Sequence, residues 1–185
     1  TTSRRAPGTG CSLTRALSHR LAFPVMPGPL MVIGGAEDKL RRPTILTDFV
    51  AAAGGPDARI VVIPTASSLG AEIVEVYDAL FRRLGAGEVT ACRPESREEA
   101  HDPDLVKSVE EATGVFMTGG NQLKLASQVG GTRLADAMLE RFRHGAVMAG
   151  TSAGASAMSS HMIAFGASGA TPKHRMAQIA AGLGM

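Results

Sequence analysis

The residues with the most definite chemistry in this chain are a serine and its flanking glycines. Gly150-Thr151-Ser152-Ala153-Gly154 fits G-x-S-x-G, the nucleophile elbow, in which a serine occupies a strained turn between a strand and a helix. A short apolar run, Ala146–Ala149, precedes the turn, and small residues follow it. We therefore predict that Ser152 is the nucleophile of a hydrolase. The alternative is a tight structural turn carrying a solvated serine.

A serine hydroxyl needs a general base, because it is a poor nucleophile at neutral pH. For each histidine of the chain a surface or structural role is the simpler interpretation. The chain has five histidines, and three of them are His19, His101 and His144. The other two, His161, which follows the elbow closely, and His174, in a basic loop, are kept as possible general bases. The sequence alone therefore shows no convincing base.

An acyl-transfer site also needs donors for the developing oxyanion. The backbone N–H groups of Gly120, in the pair Gly119-Gly120, and of Ala153 could supply them, since glycine leaves the amide unobstructed. The alternative is that the paired glycines simply turn the chain after a strand. Gly34-Gly35 is open to the same interpretation, and it is not a dinucleotide-binding motif because G-x-G-x-x-G is absent.

Two carboxylates, Glu37 and Asp38, follow Gly34-Gly35 and allow two interpretations. They could stand at the start of a helix, where the helix dipole favours negative charge. They could instead attract a cationic group of a substrate. The sequence leaves both open.

Short continuous apolar runs alternate with amphipathic segments along the chain. The runs predict strands over Leu30–Ile33, Arg59–Pro64, Glu88–Cys92, Gly114–Met117, Ala146–Ala149 and Met162–Phe165. The amphipathic segments predict helices over Thr44–Ala53, Glu72–Leu84, Asp104–Ala112 (capped by Asp102), Gln122–Gln128 and Thr132–His144. Strands apolar on both faces and separated by helices indicate a mainly parallel sheet in a three-layer α/β sandwich.

Four stretches, taken in order, resemble the serine peptidase family that contains cyanophycinases and aspartyl dipeptidases. They are Val32–Asp38, Arg59–Ser68, Phe116–Leu123 and Gly150–Ala155, within residues 28–185. The resemblance implies a class I glutamine-amidotransferase-like fold with serine in place of cysteine at the elbow. It further implies hydrolysis of cyanophycin, a polyaspartate bearing arginine on its side-chain carboxyls, to β-Asp-Arg dipeptides, without a cofactor or metal.

The resemblance also implies roles for individual residues. Ser152 would be the nucleophile, Gly120 and Ala153 the oxyanion donors, and Gln122 a substrate contact. The family more often has Asp where this chain has Asn121, which bears on substrate preference.

Length is the larger departure from the family. Its histidine base lies on a later segment and an acidic residue beyond it, whereas this sequence ends at Met185. We therefore expect a domain without its last strands, poorly soluble alone because an apolar edge is exposed. An aspartyl dipeptidase, or a non-catalytic binding module left by truncation, stays open. A nucleotide-binding module is disfavoured by the missing phosphate loop.

Composition narrows the class of protein further. The 185 residues are 44% hydrophobic and 19% charged, which is ordinary for a soluble globular domain. Residues 1–36 carry four arginines and no acid, so the rest of the chain has a charge of −2 against an overall +2. With no tryptophan and one tyrosine, a nucleic-acid partner is not expected. Two cysteines, Cys11 and Cys92, cannot form a disulfide framework.

These observations predict a domain organisation and a location. Residues 29–185 form the α/β serine hydrolase domain, preceded by a basic flexible leader at 1–28. The leader could be a transit segment, a disordered tail or sequence upstream of the true start. Nothing approaches 18 uninterrupted apolar residues, so we expect no membrane span, a cytoplasmic protein and a possible homodimer.

Overall fold

A computed structural model describes residues 26–165 and 178–185 of the chain. The strands are β1 (Leu30–Ile33), β2 (Arg59–Ile63), β3 (Glu88–Ala91), β4 (Gly114–Met117), β5 (Val147–Thr151), β6 (His161–Phe165) and β7 (Gln178–Ala181). The helices are α1 (Thr44–Ala52), α2 (Ala71–Arg83), α3 (Pro103–Glu110), α4 (Gln122–Val129), α5 (Arg133–Arg143) and α6 (Ala153–Met158), with 3₁₀ turns at Gly55–Asp57 and Glu99–His101. Most of the predicted leader, including Cys11 and His19, lies outside the described residues. So does His174.

Strands β1 to β5 form one parallel sheet in the order β1-β5-β4-β2-β3. Alternate residues of β2 enter separate cores: Val61 belongs to the cluster that contains residues of α3, α4, α5 and α6, while Val62 belongs to the cluster with α1 and α2. Helices therefore cover both faces of the central strands, which is why these strands read as continuous apolar runs. Val32 of the edge strand β1 is instead exposed. The predicted three-layer α/β sandwich is confirmed.

An aromatic cluster fills the core beneath α1 and α2. Phe49 of α1, Tyr77 and Phe81 of α2 and Phe116 of β4 have ring centroids 4.7–5.7 Å apart. Because Tyr77 is fixed among these rings, its hydroxyl is held at a defined place at the carboxyl edge of the sheet.

The structure corrects three predictions from the sequence. Strand β5 continues two residues beyond Ala149, so that Thr151 pairs with Ile33 of β1. Beyond α6, strand β6 has an antiparallel partner, β7, that the sequence did not predict. Residues Glu37 and Asp38 do not begin a helix, because α1 starts at Thr44 after Pro43 and has no acid in its first turn.

Asp38 instead closes a loop ahead of α1. Its carboxylate accepts hydrogen bonds from the backbone amides of Leu40, Arg41 and Arg42 at 2.8, 2.9 and 2.8 Å. These backbone hydrogen bonds hold the pKa of Asp38 below its usual range. Its role in the fold is therefore a local turn.

None of the helices within residues 26–165 and 178–185 is long and apolar enough to cross a membrane.

Candidate active site

The proposed nucleophile occupies the junction between β5 and α6. Ser152 has φ 52° and ψ −110°, a conformation that costs a non-glycine residue about 1–3 kcal/mol. Its amide donates a 2.8 Å hydrogen bond to the Ile33 carbonyl, and its carbonyl accepts one of 3.0 Å from the Ser156 amide. The strained turn is therefore held from both sides, and it leaves Ser152 exposed at the carboxyl edge of the sheet.

The glycines of the elbow lie where helix α6 and the neighbouring strands come into close backbone contact, as the motif predicts. A Cβ on Gly150 would lie 2.4 Å from the carbonyl carbon of Gly154. A Cβ on Gly154 would lie 2.3 Å from the carbonyl oxygen of Met117, at the end of β4. Larger residues at either position would separate α6 from the sheet, so these glycines determine where the serine stands.

Two further glycines border the serine itself. A Cβ on Gly35 would lie 3.2 Å from the Ser152 Cβ, and one on Gly119 would lie 3.5 Å from it. The loops after β1 and β4 thus approach the serine without side chains between them. Side chains at these two positions would therefore crowd the serine.

The two predicted oxyanion donors have amides with no acceptor among the described residues. Gly120 has φ 141° and sits so close to the loop after β2 that its Cβ would lie 2.0 Å from the Ala66 carbonyl oxygen. Ala153 begins α6, where the first amides of a helix lack partners within the helix. Both amides are consequently available to donate hydrogen bonds to a substrate oxygen.

Asn121 and Gln122 have separate contacts. The Asn121 side-chain oxygen caps α4, accepting from the amides of Leu123 at 2.9 Å and Lys124 at 3.1 Å. The Gln122 side-chain amide donates a 3.0 Å hydrogen bond to the Ile163 carbonyl of β6. Asn121 is thus tied into the helix start, while Gln122 connects α4 to the hairpin of β6 and β7.

Glu37 is the buried charge of the site, with a side chain that is 3% exposed. Its carboxylate accepts hydrogen bonds from the Tyr77 hydroxyl and, at 2.5 Å, from the Thr151 hydroxyl. It also pairs with the Lys39 ammonium at 2.6 Å. Burial acts to raise the pKa of Glu37, but the hydrogen bonds from Lys39, Thr151 and Tyr77 together hold that pKa below its usual range.

The same contact acts on the tyrosine. Burial and the neighbouring Glu37 carboxylate raise the pKa of Tyr77, so its hydroxyl stays protonated and acts as a donor. The Lys39 ammonium lies 5.3 Å from the centre of the Tyr77 ring. Around Ser152 there are therefore a buried carboxylate (Glu37), an ammonium (Lys39) and a neutral phenol (Tyr77).

Two cavities meet at Ser152. One, of about 430 Å³, includes Gln122 and Ala153 in its wall. The other, of about 310 Å³, includes Glu37, Lys39 and Gly120. The structure thus gathers most of the predicted site around the serine, whereas neither cavity is lined by Asp38 or Asn121.

None of the histidines within the described residues contacts the serine. His101 accepts a 3.5 Å contact from the Arg133 amide, His144 lies 2.8 Å from the Glu140 carbonyl oxygen, and His161 is exposed. None of the three lines either cavity that Ser152 borders. In the same part of the chain, no group of three or more acidic, histidine or cysteine side chains could hold a metal ion.

Three side chains of this site were not predicted from the sequence: Lys39, Tyr77 and Thr151. Tyr77 occupies an apolar position of an amphipathic helix, and Thr151 is an unspecified position of the elbow motif. Tyr77 alone offered a signal in the sequence. It is the chain's single tyrosine, and the hydroxyl of a buried tyrosine usually needs a hydrogen-bond partner.

An exposed serine on a strand–turn–helix elbow, at the carboxyl edge of a parallel sheet, is the arrangement used by α/β hydrolytic enzymes. The family model described as "Peptidase family S51" matches residues 30–185. The chain belongs to this family.

Individual relatives agree with that assignment. A cyanophycinase of Geminocystis herdmanii is 41% identical over 157 residues, which cover 84% of this chain and 58% of that protein. A cyanophycinase of a Nostoc species is 41% identical over the same length, with 84% of this chain and 53% of that protein covered. The chain thus spans about half the length of the curated relatives it matches.

Solved structures support the same architecture. The crystal structure of a peptidase from an acI-B1 Actinobacterium superposes with a TM-score of 0.68 at 26% identity, covering 87% of this chain and 66% of that one. A putative peptidase E protein from Listeria monocytogenes is similar in fold, with a TM-score of 0.55 at 23% identity, covering 74% of this chain and 64% of that one. The predicted fold class is therefore confirmed.

Proposed function

We propose that this protein is a serine-type peptidase that hydrolyses cyanophycin to β-Asp-Arg dipeptides through an acyl-enzyme on Ser152. The observation that carries the proposal is the strained, exposed Ser152 beside two amides that have no acceptor among the described residues. Ala153 follows Ser152 directly in the chain, and Gly120 lines a cavity together with Ser152. The named activity of the relatives from Geminocystis and Nostoc supports the choice of substrate.

In the proposed reaction, the Ser152 Oγ attacks the carbonyl carbon of an aspartyl peptide bond. The Gly120 and Ala153 amides donate hydrogen bonds to the oxyanion. The hydroxyl proton passes to a general base and then to the leaving amine as the C–N bond breaks. Water next attacks the acyl ester, and Ser152 recovers its proton as the carboxylic acid product leaves.

Gln122 is proposed to contact the substrate from the larger cavity. Glu37 was a candidate for attracting a cationic substrate group, but its carboxylate already has three internal partners. We therefore assign it no direct role in binding arginine. Asp38 and Asn121 are likewise engaged with backbone amides.

The test is labelling of the full chain with a fluorophosphonate, followed by intact mass and by release of β-Asp-Arg from cyanophycin. We expect one adduct on the wild type and on Ser127→Ala, an exposed serine of α4, but none on Ser152→Ala. Cleavage of α-aspartyl dipeptides alone would contradict cyanophycin as the substrate. An adduct on Ser152→Ala equal to that on the wild type would overturn the nucleophile.

A second candidate is a binding module without turnover, favoured by the lack of a histidine beside Ser152 among the described residues. Such a module should bind β-Asp-Arg equally well before and after Ser152→Ala. It should also release no dipeptide from the polymer. Isothermal titration of both proteins with β-Asp-Arg measures this binding, and release of dipeptide by the wild type distinguishes the enzyme from the binding module.

A further inference from the structure

The loop after β1 reaches across to the elbow through a side chain. Glu37 follows Ile33 by four residues and accepts a 2.5 Å hydrogen bond from Thr151, the residue directly before Ser152. The same part of the chain also binds the elbow through its backbone, since the Ser152 amide donates to the Ile33 carbonyl. Two adjacent residues of the elbow are thus held: Thr151 by Glu37 in the loop after β1, and Ser152 by Ile33 at the end of β1.

The elbow needs such attachments because its backbone is strained. A non-glycine residue with positive φ persists only where the surrounding structure determines it. Ser152 and Ala36, both with φ 52°, are the two such residues within the described ranges. They stand next to the two ends of the Glu37–Thr151 hydrogen bond, which therefore joins the two strained positions of this part of the chain.

The Glu37 carboxylate is itself held in place. Oε1 receives the Tyr77 hydroxyl and the Lys39 ammonium, while Oε2 receives Thr151. Tyr77 is fixed by its ring contacts with Phe81 and Phe116. The position of the acceptor for Thr151 is thus set by the aromatic core beneath the site.

We propose that Glu37 is a positioning residue: through its hydrogen bond to Thr151 it holds the elbow so that the Ser152 hydroxyl faces the substrate. Lys39 and Tyr77 serve this role by fixing the carboxylate. The inference rests on the proposed function, because it assigns the hydrogen bond a purpose in the reaction of Ser152. In this role Glu37 does not contact the substrate.

The first test measures fluorophosphonate labelling rates of folded protein. Thr151→Val keeps the shape of the strand residue but removes the donor, and we expect labelling at least about tenfold slower, since a hydrogen bond to a charged group is lost. Thr151→Ser keeps the donor and should label within about threefold of wild type. The matched control is Thr90→Val in β3, on the other edge of the sheet, which should not change the rate.

A double variant separates action through Thr151 from a general loss of stability. If Glu37 acts by this hydrogen bond, Glu37→Gln with Thr151→Val should label no more slowly than the slower single variant. Multiplied effects of the two substitutions would overturn the inference. So would labelling of Thr151→Val at the wild-type rate.

A second measurement does not require Ser152 to react. Amide hydrogen exchange followed by NMR should show the Ser152 amide exchanging at least about tenfold faster in Thr151→Val and near the wild-type rate in Thr151→Ser. Amides of β3 serve as the internal reference for global unfolding. Unchanged Ser152 exchange in Thr151→Val would overturn the inference. Faster Ser152 exchange in Thr151→Val, together with a wild type that never labels, would retain the positioning role and reject the proposed peptidase activity.

Discussion

Gly154 touches the end of a neighbouring strand: a Cβ on this residue would lie 2.3 Å from the Met117 carbonyl oxygen. The contact joins α6 to β4, whose following loop carries Gly119 and Gly120. This backbone contact therefore helps to place the serine elbow relative to the loop that carries Gly119 and Gly120. Because that contact is with backbone, a neighbouring side chain cannot rotate to make room.

Gly154→Ala should consequently destabilise the protein by about 1–3 kcal/mol through overpacking. Gly34→Ala is the matched control, because a Cβ there meets nothing within 4 Å and the position lacks a positive φ. Urea unfolding of both variants measures the difference. Equal stability of Gly154→Ala and wild type would show that α6 is free to shift from the sheet.

Asn121 should act mainly as the N-cap of α4. Asn121→Ala removes the acceptor for Leu123 and Lys124 and should cost about 1 kcal/mol. Asn121→Asp keeps the acceptor and adds a charge favoured at a helix start, so its unfolding free energy should match or exceed that of wild type. Steady-state hydrolysis of cyanophycin by Asn121→Asp and by the wild type tests whether Asn121 also contacts the substrate. A changed KM at unchanged stability would indicate such a contact and contradict a purely capping role.

Acid should weaken the contacts around Glu37. A folded pKa below the ordinary 4.5 means that ionised Glu37 contributes stability above about pH 4.5, which is lost as pH falls through the folded value. The free energy of unfolding should therefore decrease on acidification below about pH 4.5. Urea unfolding between pH 3 and pH 7 measures this, with Glu37→Gln beside the wild type. The deficit of Glu37→Gln should shrink toward pH 3, and a constant deficit would contradict the assignment.

Cys92 should be chemically inert in the folded protein. Its side chain is fully buried, and burial raises its pKa to about 12, so hardly any thiolate forms at pH 8. We expect iodoacetamide to modify Cys92 only after unfolding in urea. Peptide mapping separates this thiol from Cys11. Rapid alkylation of Cys92 without denaturant would indicate local opening of β3.

Local patterns were sufficient to predict much of the framework. The apolar run Gly114–Met117 matched β4 because a strand covered on both faces needs apolar residues throughout. The run Leu30–Ile33 matched β1, although Leu30 and Val32 are exposed on this edge strand. The cap at Asp102 was also predicted, and its carboxylate accepts from the Asp104 and Leu105 amides. Each of these features depends on residues close together in the chain.

Elements whose partners are distant were missed or misjudged. The four residues of β7 have no strong apolar run of their own, and they form a strand by pairing with β6. Glu37 resembled a helix-start carboxylate because acids next to a glycine turn often occur there. The structure instead directs it inward, to a hydroxyl 114 residues away.

The sequence by itself determined the elbow, its glycines and the alternation of strands and helices, because spacing and backbone sterics are local properties. Tertiary structure alone decided that Glu37, Tyr77 and Thr151 meet beside Ser152. Their meeting follows from the strand order, which puts β5 next to β1, and from the packing of α2 on the same face as α1. Such contacts depend on how whole elements bury their apolar faces against one another, and no short stretch of residues encodes them.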